Sequence, residues 1–221
     1  MSTGKRYKFF GSSFEVQTGF GSPKTVTAIT AADPPVVSAA AHGFVLGDVV
    51  KLANIDAPTQ LDDGSFAVDN PVSGSFQLAG IDGSGYDAFD AGSPNATATP
   101  VTFSEFCELT GANQQDGAAD QEDVSTICST AKEFEQGLSD SGTLQIDFNW
   151  AGNETVQAAL RAAKRSGDAL AFRVTMPGDG GSVIMIGTVQ QTSFSGQKGQ
   201  AVWKASATIK LSGEIFVLEA A

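Results

Sequence analysis

The sequence predicts a mainly β protein with one flanking α-helix and a small all-β module inserted near its N-terminal end. Two kinds of periodicity and one composition step predict this. Several runs alternate apolar and polar residues with a period of two, the mark of half-buried strands. One stretch only, Glu154 to Ser166, has a helical period. Between Thr25 and Pro100 there are nine Asp, one Lys and the single His, with no Glu, Arg, Trp, Cys or Met, giving a local charge of −8 against −4 for the rest. A composition step at both ends of an internal segment predicts an insert at 25–100 and a discontinuous body at 1–24 and 101–221. Gly19 to Pro23 and Gly92 to Pro100 supply linker chemistry at the two borders.

Within the insert, Val49 to Ile55 reads as a strand behind the Gly47-Asp48 turn. Phe66 and Val68 are echoed ten residues later by Phe76 and Leu78, each set within a Gly-Ser-Phe-x-apolar run. The reading is a hairpin with Asp69-Asn70-Pro71 between its strands, in a small sandwich or barrel. In the body, Val101 to Thr110 and Val124 to Phe134 are weaker strand candidates. Gly111 to Asp123 has four acids and no large apolar residue, and reads as a long connection without regular structure. Thr143 to Trp150 alternates cleanly, with Leu144, Ile146, Phe148 and Trp150 on one face and Gln145, Asp147 and Asn149 on the other. The helix follows, with Asn153 as the expected N-cap, a stripe of Val156, Ala159, Leu160 and Ala163, basic residues in its last turns and Gly167 as its stop. Leu170 to Met176 and Trp203 to Leu211 alternate again. Val183 to Val189 is apolar on both faces apart from Gly187 and Thr188, and Pro177 to Gly181 is a hairpin turn.

The 221 residues carry 25 acids and 13 bases, a net −12 with a pI near 4.3. That charge argues against a tight duplex-DNA site. No run approaches the ~20 apolar residues of a membrane helix. The start of the chain has Lys5, Arg6 and Lys8 without an apolar stretch behind them, so the reading is a chain without a signal peptide, kept in a cytoplasm. Cys107 and Cys128 have no partner motif and read as two buried small side chains. His42 has no nucleophile motif near it and reads as a turn histidine. Asp62-Asp63-Gly64 and Asp82-Gly83-Ser84-Gly85 resemble fragments of calcium loops, but the insert lacks the closing Glu such loops use, so they read as turn residues. The sequence predicts no enzyme, no catalytic residue, no metal and no cofactor.

The order of features from Glu108 onward carries a resemblance. The Ser/Thr-rich run Val124 to Thr130 leads into Lys132-Glu133-Phe134-x-x-Gly137-Leu138-x-Asp140-x-Gly142. Phe148-Asn149-Trp150, the helix, a strand, the Pro177-Gly178-Asp179-Gly180 turn and a closing Ser212-Gly213-Glu214-Ile215 follow. This resembles the tail tube (major tail) proteins of long-tailed bacteriophages, loosely over Met1 to Lys24 and well over Val101 to Ala221. The insert, through His42-Gly43-Phe44, Gly47-Asp48-x-Val50, Phe66-x-Val68, Phe76-x-Leu78 and Gly85-Tyr86, resembles a small β module of several phage structural proteins. A plain tube protein runs on without that module.

The resemblance implies a tail-tube β-sandwich or barrel whose copies form hexameric rings, stacked into a hollow conduit for DNA ejection, with the helix outside and the insert projecting outward. It implies an inter-ring loop that includes Gly111, Asn113, Gln114, Gln115, Asp116, Asp120, Glu122 and Asp123. It makes Gln145, Asp147 and Asn149 candidates for the lumen lining. The implied partners are further copies of the chain, other tail proteins such as tape measure and terminator, DNA that passes without specific binding, and a host surface met by the insert. The implied location is the virion tail, assembled in the bacterial host cytoplasm. The alternative is a host-surface-binding adhesin or virion decoration protein, and a third reading is a glycan-degrading enzyme using two carboxylates.

Overall fold

Period-two alternation produces most of the molecule. In the computed structural model, residues 8–90, 95–128, 130–138, 140–178, 180–199 and 201–218 are described. Strand β1 is Ser13–Phe20, followed by β2 (Lys24–Thr25), β3 (Ala28–Ile29), β4 (Val36–Ser38), β5 (Val49–Ala53), β6 (Ser65–Val72) and β7 (Ser75–Leu78). Then come β8 (Thr97–Glu105), β9 (Leu109–Gln115), β10 (Gln121–Asp123), β11 (Phe134–Gln136) and β12 (Thr143–Asn149). The helix α1 (Thr155–Ser166) precedes β13 (Ala169–Thr175), β14 (Ser182–Ser195), β15 (Lys204–Leu211) and β16 (Phe216–Leu218). The protein is mainly β, with one α-helix among the described residues.

The strands form one long antiparallel path, β3-β4-β7-β6-β5-β8-β1-β13-β14-β15-β12-β9, with β2 on β8 and β16 on β14. Strand β8 joins the two regions. Its first residues, Thr97 to Pro100, pair with β5, and its later residues, Val101 to Glu105, pair with β1. Three apolar clusters follow the same division. The first unites Leu144, Ile146 and Phe148 of β12 with Ile209 of β15, Phe172 of β13, Phe14 of β1, and Val156 and Leu160 of α1. The second, around Leu52, Val68, Phe76 and Leu78, is drawn from residues 26–98. The third lies between them, where Val49 and Ala67 meet Val101, Ala171 and Ile184. The border residues 91–94, and with them Gly92 to Pro94, lie outside the described residues, as do Met1 to Tyr7 with Lys5 and Arg6, and also Ser129, Ser139, Asp179, Gln200 and 219–221.

Helix α1 begins one residue later than its expected cap. Glu154, not Asn153, occupies the extended N-cap position, and its carboxylate accepts from Val156 N (3.0 Å) and Gln157 N (2.8 Å). The longer side chain satisfies two of the orphan amides and places its charge at the positive end of the dipole. Gly167 ends the helix with φ +81°, its N–H donating to Ala163 O. The buried stripe is Val156, Gln157, Leu160 and Ala163. Gln157 is tolerated there because its amide is used: Nε2 donates to Asn149 O (2.8 Å) and Oε1 accepts from Ala151 N (3.0 Å). Burial of Val156 and Leu160 contributes about 1.5–3 kcal/mol each.

Several expectations are corrected. The hairpin of the insert turns at Ser73-Gly74; Asp69-Asn70-Pro71 lies within β6, where the pairing with β7 shifts register. Val124 to Glu133 is not a strand among the described residues but the exposed connection between β10 and β11, and only Phe134, the first residue of β11, is in a strand. Cys107 and Cys128 are both exposed rather than buried, because each sits in a connection with no apolar layer over it. The run Val183 to Val189 extends to Ser195. Gly187 interrupts it because a Cβ there would lie 2.4 Å from Lys210 O, where β15 crosses closely.

Candidate assembly surfaces

The side chains of β12 that face away from the core lie on a polar ladder shared by four strands. Gln145 is paired between Asn113 of β9 and Thr208 of β15, and Asp147 between Gly111 and Ser206. Ser206 continues to Ser193 of β14, with the two hydroxyls 2.8 Å apart. Asn149 stands opposite Lys204, whose Nζ donates to Asn149 Oδ1 at 2.7 Å. Gln145 and Asp147 are exposed and Asn149 is half-buried. The three candidate lining residues therefore share one face, which is dominated by amides and hydroxyls. Its lysines are held: Lys204 by Asn149, and Lys210 by an ion pair with Asp140.

Strand β9 is the edge of this ladder, with β12 its only strand partner among the described residues. Gly111, Asn113, Gln114 and Gln115, expected in an irregular loop, are strand residues of β9. Pairing with β12 overrides a composition that shows no apolar alternation. Asp116 and Asp120 follow β9, and Glu122 and Asp123 belong to β10. The excursion thus runs from Asp116 to Gly142 and contains its own two-stranded ribbon, Gln121↔Gln136 to Asp123↔Phe134.

This arm has a tight neck and, among the described residues, no apolar core. A Cβ on Gly142 (φ +86°) would lie 2.1 Å from Gln115 O, and one on Gly117 would lie 2.2 Å from Asp140 O, so the two chains touch backbone to backbone. Asp140 holds the neck through its ion pair with Lys210 and by accepting from Gly142 N (2.7 Å). The hydrogen bond from Lys210, then the one from Gly142, lowers its pKa below the ordinary aspartate range. Hydrogen bonds from Ser125 lower Asp123 in the same way. Beyond the neck, Ile127 and Leu138 are 102% and 87% exposed, and Val124 and Phe134 are exposed as well. None of these four belongs to any of the three apolar clusters.

The remaining singled-out residues serve the backbone. His42 is buried between Phe44 and Phe76, its Nδ1 accepts from Phe44 N (2.9 Å), and its Nε2 donates to Val72 O (2.6 Å). Asp62 accepts from Ile55 N and Asp82 from Ser84 N, both at 2.9 Å. A cleft of about 780 Å³ follows the seam between insert and body, with Ala159, Ala162 and Ser166 of α1 on one wall and Phe66, Ala79 and Ile81 on the other.

The described residues thus combine an edge strand, a polar ladder and an arm whose apolar side chains join none of the three clusters. The family model described as phage tail tube protein, TTP, matches residues 56–220. The chain belongs to the phage tail tube protein family. The match covers β9, the arm, the ladder and α1, and it begins at residue 56, inside the stretch read as an insert. No curated protein matches the chain. As a tail tube protein it is a structural component of the virion tail, a class that is in general non-enzymatic and assembles with itself and with other tail proteins.

Sequence reasoning missed the aromatic cluster at the far end of the ladder. Trp150 stacks on Phe194 (5.1 Å between centroids, 28° between planes), and Phe194 meets Trp203 at 5.9 Å. Trp150 and Trp203 were legible only as the ends of alternating runs, hence as core. Phe194 lies beyond the apolar stretch that marked its strand.

Proposed function

We propose that this protein is the repeating subunit of the tube: copies close into hexameric rings, the rings stack, and the resulting pipe conducts DNA during ejection. The observation that carries this reading is the four-strand polar ladder ending in the open edge of β9. An exposed row of backbone donors and acceptors is a template for pairing with another chain, and closure into a barrel removes it. Gln145, Asp147 and Asn149 line the lumen in this reading. DNA carries one charge per ~1.7 Å; on this face Lys210 is paired with Asp140 and the charge of Lys204 is offset by Asp147, so the lining of amides and hydroxyls offers no continuous cationic track.

The arm, including Asp116, Asp120, Glu122 and Asp123, contacts the adjacent ring, while Gly111 and Asn113 to Gln115 belong to the barrel. A two-stranded ribbon is marginal alone in water, so the arm gains its order on stacking. Residues 25–100 form an inserted decoration module outside the tube, in contact with a host surface. Tape measure and terminator proteins are the further tail partners, and assembly takes place in the bacterial host cytoplasm.

Negative-stain microscopy of the concentrated, purified protein tests the reading. Rings and hollow cylinders are expected. A protein that remains single and binds host cells would instead be an adhesin.

A further inference from the structure

Two features that the body's own core leaves uncovered sit at opposite ends of the same strands. At one end of β12 the chain enters from the arm through Gly142 and Thr143. At the other end, about 20 Å away for a seven-residue strand, lie Trp150, Phe194 and Trp203. Trp150 N donates to Trp203 O (2.9 Å), which ties the two strand ends together. Phe194 and Trp203 are 61% and 55% exposed, with Val202 exposed beside them.

We propose that this aromatic cluster, with Arg161, is the surface that receives the arm of a second copy of the chain, so that copies in successive rings join head to tail along β12. The inference rests on the reading of stacked rings and names the two faces that meet. Charge and apolarity both match. From Asp116 to Gly142 there are seven acids and one lysine. The connection from Gly196 to Lys204 has Lys198 and Lys204 and no acid. The arm offers Ile127, Phe134 and Leu138 in the open, and the cluster offers two aromatic rings.

Arg161 adds a specific anchor. Its guanidinium lies 5.0 Å from the Trp150 ring centre and donates through Nη2 to Gly152 O, whereas Nη1 is buried without a hydrogen-bond partner among the described residues. Arg161 lines a cleft of about 150 Å³ with Trp150, Leu160 and Phe194. Trp, aromatic and Arg side chains around a small cleft are the composition that dominates binding energy at protein interfaces. A contact between different surfaces at opposite ends of one molecule does not close on itself along that axis, so it propagates as a filament.

Two variants test the pairing by microscopy: the full-length chain with Phe194→Ser and Trp203→Ser, and a chain whose residues 118–139 are replaced by a short Gly-Ser linker. Wild-type protein is expected to give long tubes, and each variant alone single rings. An equal mixture is expected to give pairs of rings and nothing longer, because only one competent arm meets one competent face. Long tubes from the Phe194/Trp203 variant would overturn the assignment and leave stacking itself intact, whereas a wild-type protein that makes no tubes overturns both. A second measurement does not depend on those variants folding. Cys128 lies on the arm and Cys107 lies next to Glu108, whose O accepts from Asn149 N at the receiving end; both thiols are exposed. A short bis-maleimide is expected to link the chains of wild-type tubes into ladders, and Cys107→Ser or Cys128→Ser to abolish them. No ladder in intact tubes, or a ladder that survives Cys107→Ser, would place the arm on another surface.

Discussion

Glu154 shows how one side chain decides the placement of an element. Its two carboxylate oxygens serve Val156 N and Gln157 N, and Gln157 in turn holds Asn149 O at the end of β12. Glu154→Ala is therefore expected to cost about 1 kcal/mol of stability, within the usual range for loss of an N-cap, read as a lower midpoint in denaturant. Sequence alone favoured Asn153, because short polar residues lead the N-cap preferences. Only the geometry of the turn shows that the longer acid reaches both amides. Asp140 works at the same scale. Its folded pKa is lowered, so its contribution to the neck is present above the ordinary aspartate range and is lost as pH falls through the lower folded value. Protection of the Gly142 amide, relative to an unstructured amide at the same pH, is expected to hold from neutral pH down through the ordinary carboxylate range and to fall below it. Asp140→Asn is expected to flatten that profile.

At the scale of elements, legibility followed burial. Strands β12 and β15 and the helix were readable because one face of each is buried, which imposes a period on the sequence; β13 was readable because its large apolar residues share one face although Ala171 is buried on the other. Strand β9 was not, since its Leu-Thr-Gly-Ala-Asn-Gln-Gln is polar or small on both faces and its partner β12 supplies the order. The ribbon β10–β11 buries nothing and leaves no periodic trace at all. The turn of the insert's hairpin was misplaced because Asn70-Pro71 is a strong turn signal, while the Ser73-Gly74 pair is the one used. Of the candidate site, the shared face of Gln145, Asp147 and Asn149 came directly from alternation, whereas the receiving cluster requires strand ends that only the fold brings together. Replacing residues 118–139 by a short linker removes exposed chain and no core. The variant is expected to keep the wild-type unfolding midpoint within about 0.5 kcal/mol, the usual bound for changes away from buried features, and to stop at single rings.

At the scale of the whole molecule, residues 25–100 are seated on the rest of the chain rather than tethered to it. β8 runs unbroken from β5 to β1, and Val49 and Ala67 cover Ala171 and Ile184. Excising residues 25–96 therefore uncovers part of the body, at a cost of about 1.5–3 kcal/mol for Ile184 alone. The excised protein is expected to melt lower yet still build tubes; loss of all folding would show that the two regions are one unit. The charge of −12 is likewise uneven, with −8 on residues 25–100 and −6 on the arm, set against a body whose ladder face is close to neutral. That distribution suits a pipe that is charged outside and between rings and indifferent to DNA within.

The claim beneath this account is that β9 and the arm find their missing partners in other copies. Amide hydrogen exchange on dispersed and assembled protein measures it directly. The account predicts fast exchange along the arm and at the β9 amides that point away from β12 in the dispersed chain, and strong protection of both after assembly. Protection already complete in the single chain and unchanged on concentration would contradict it.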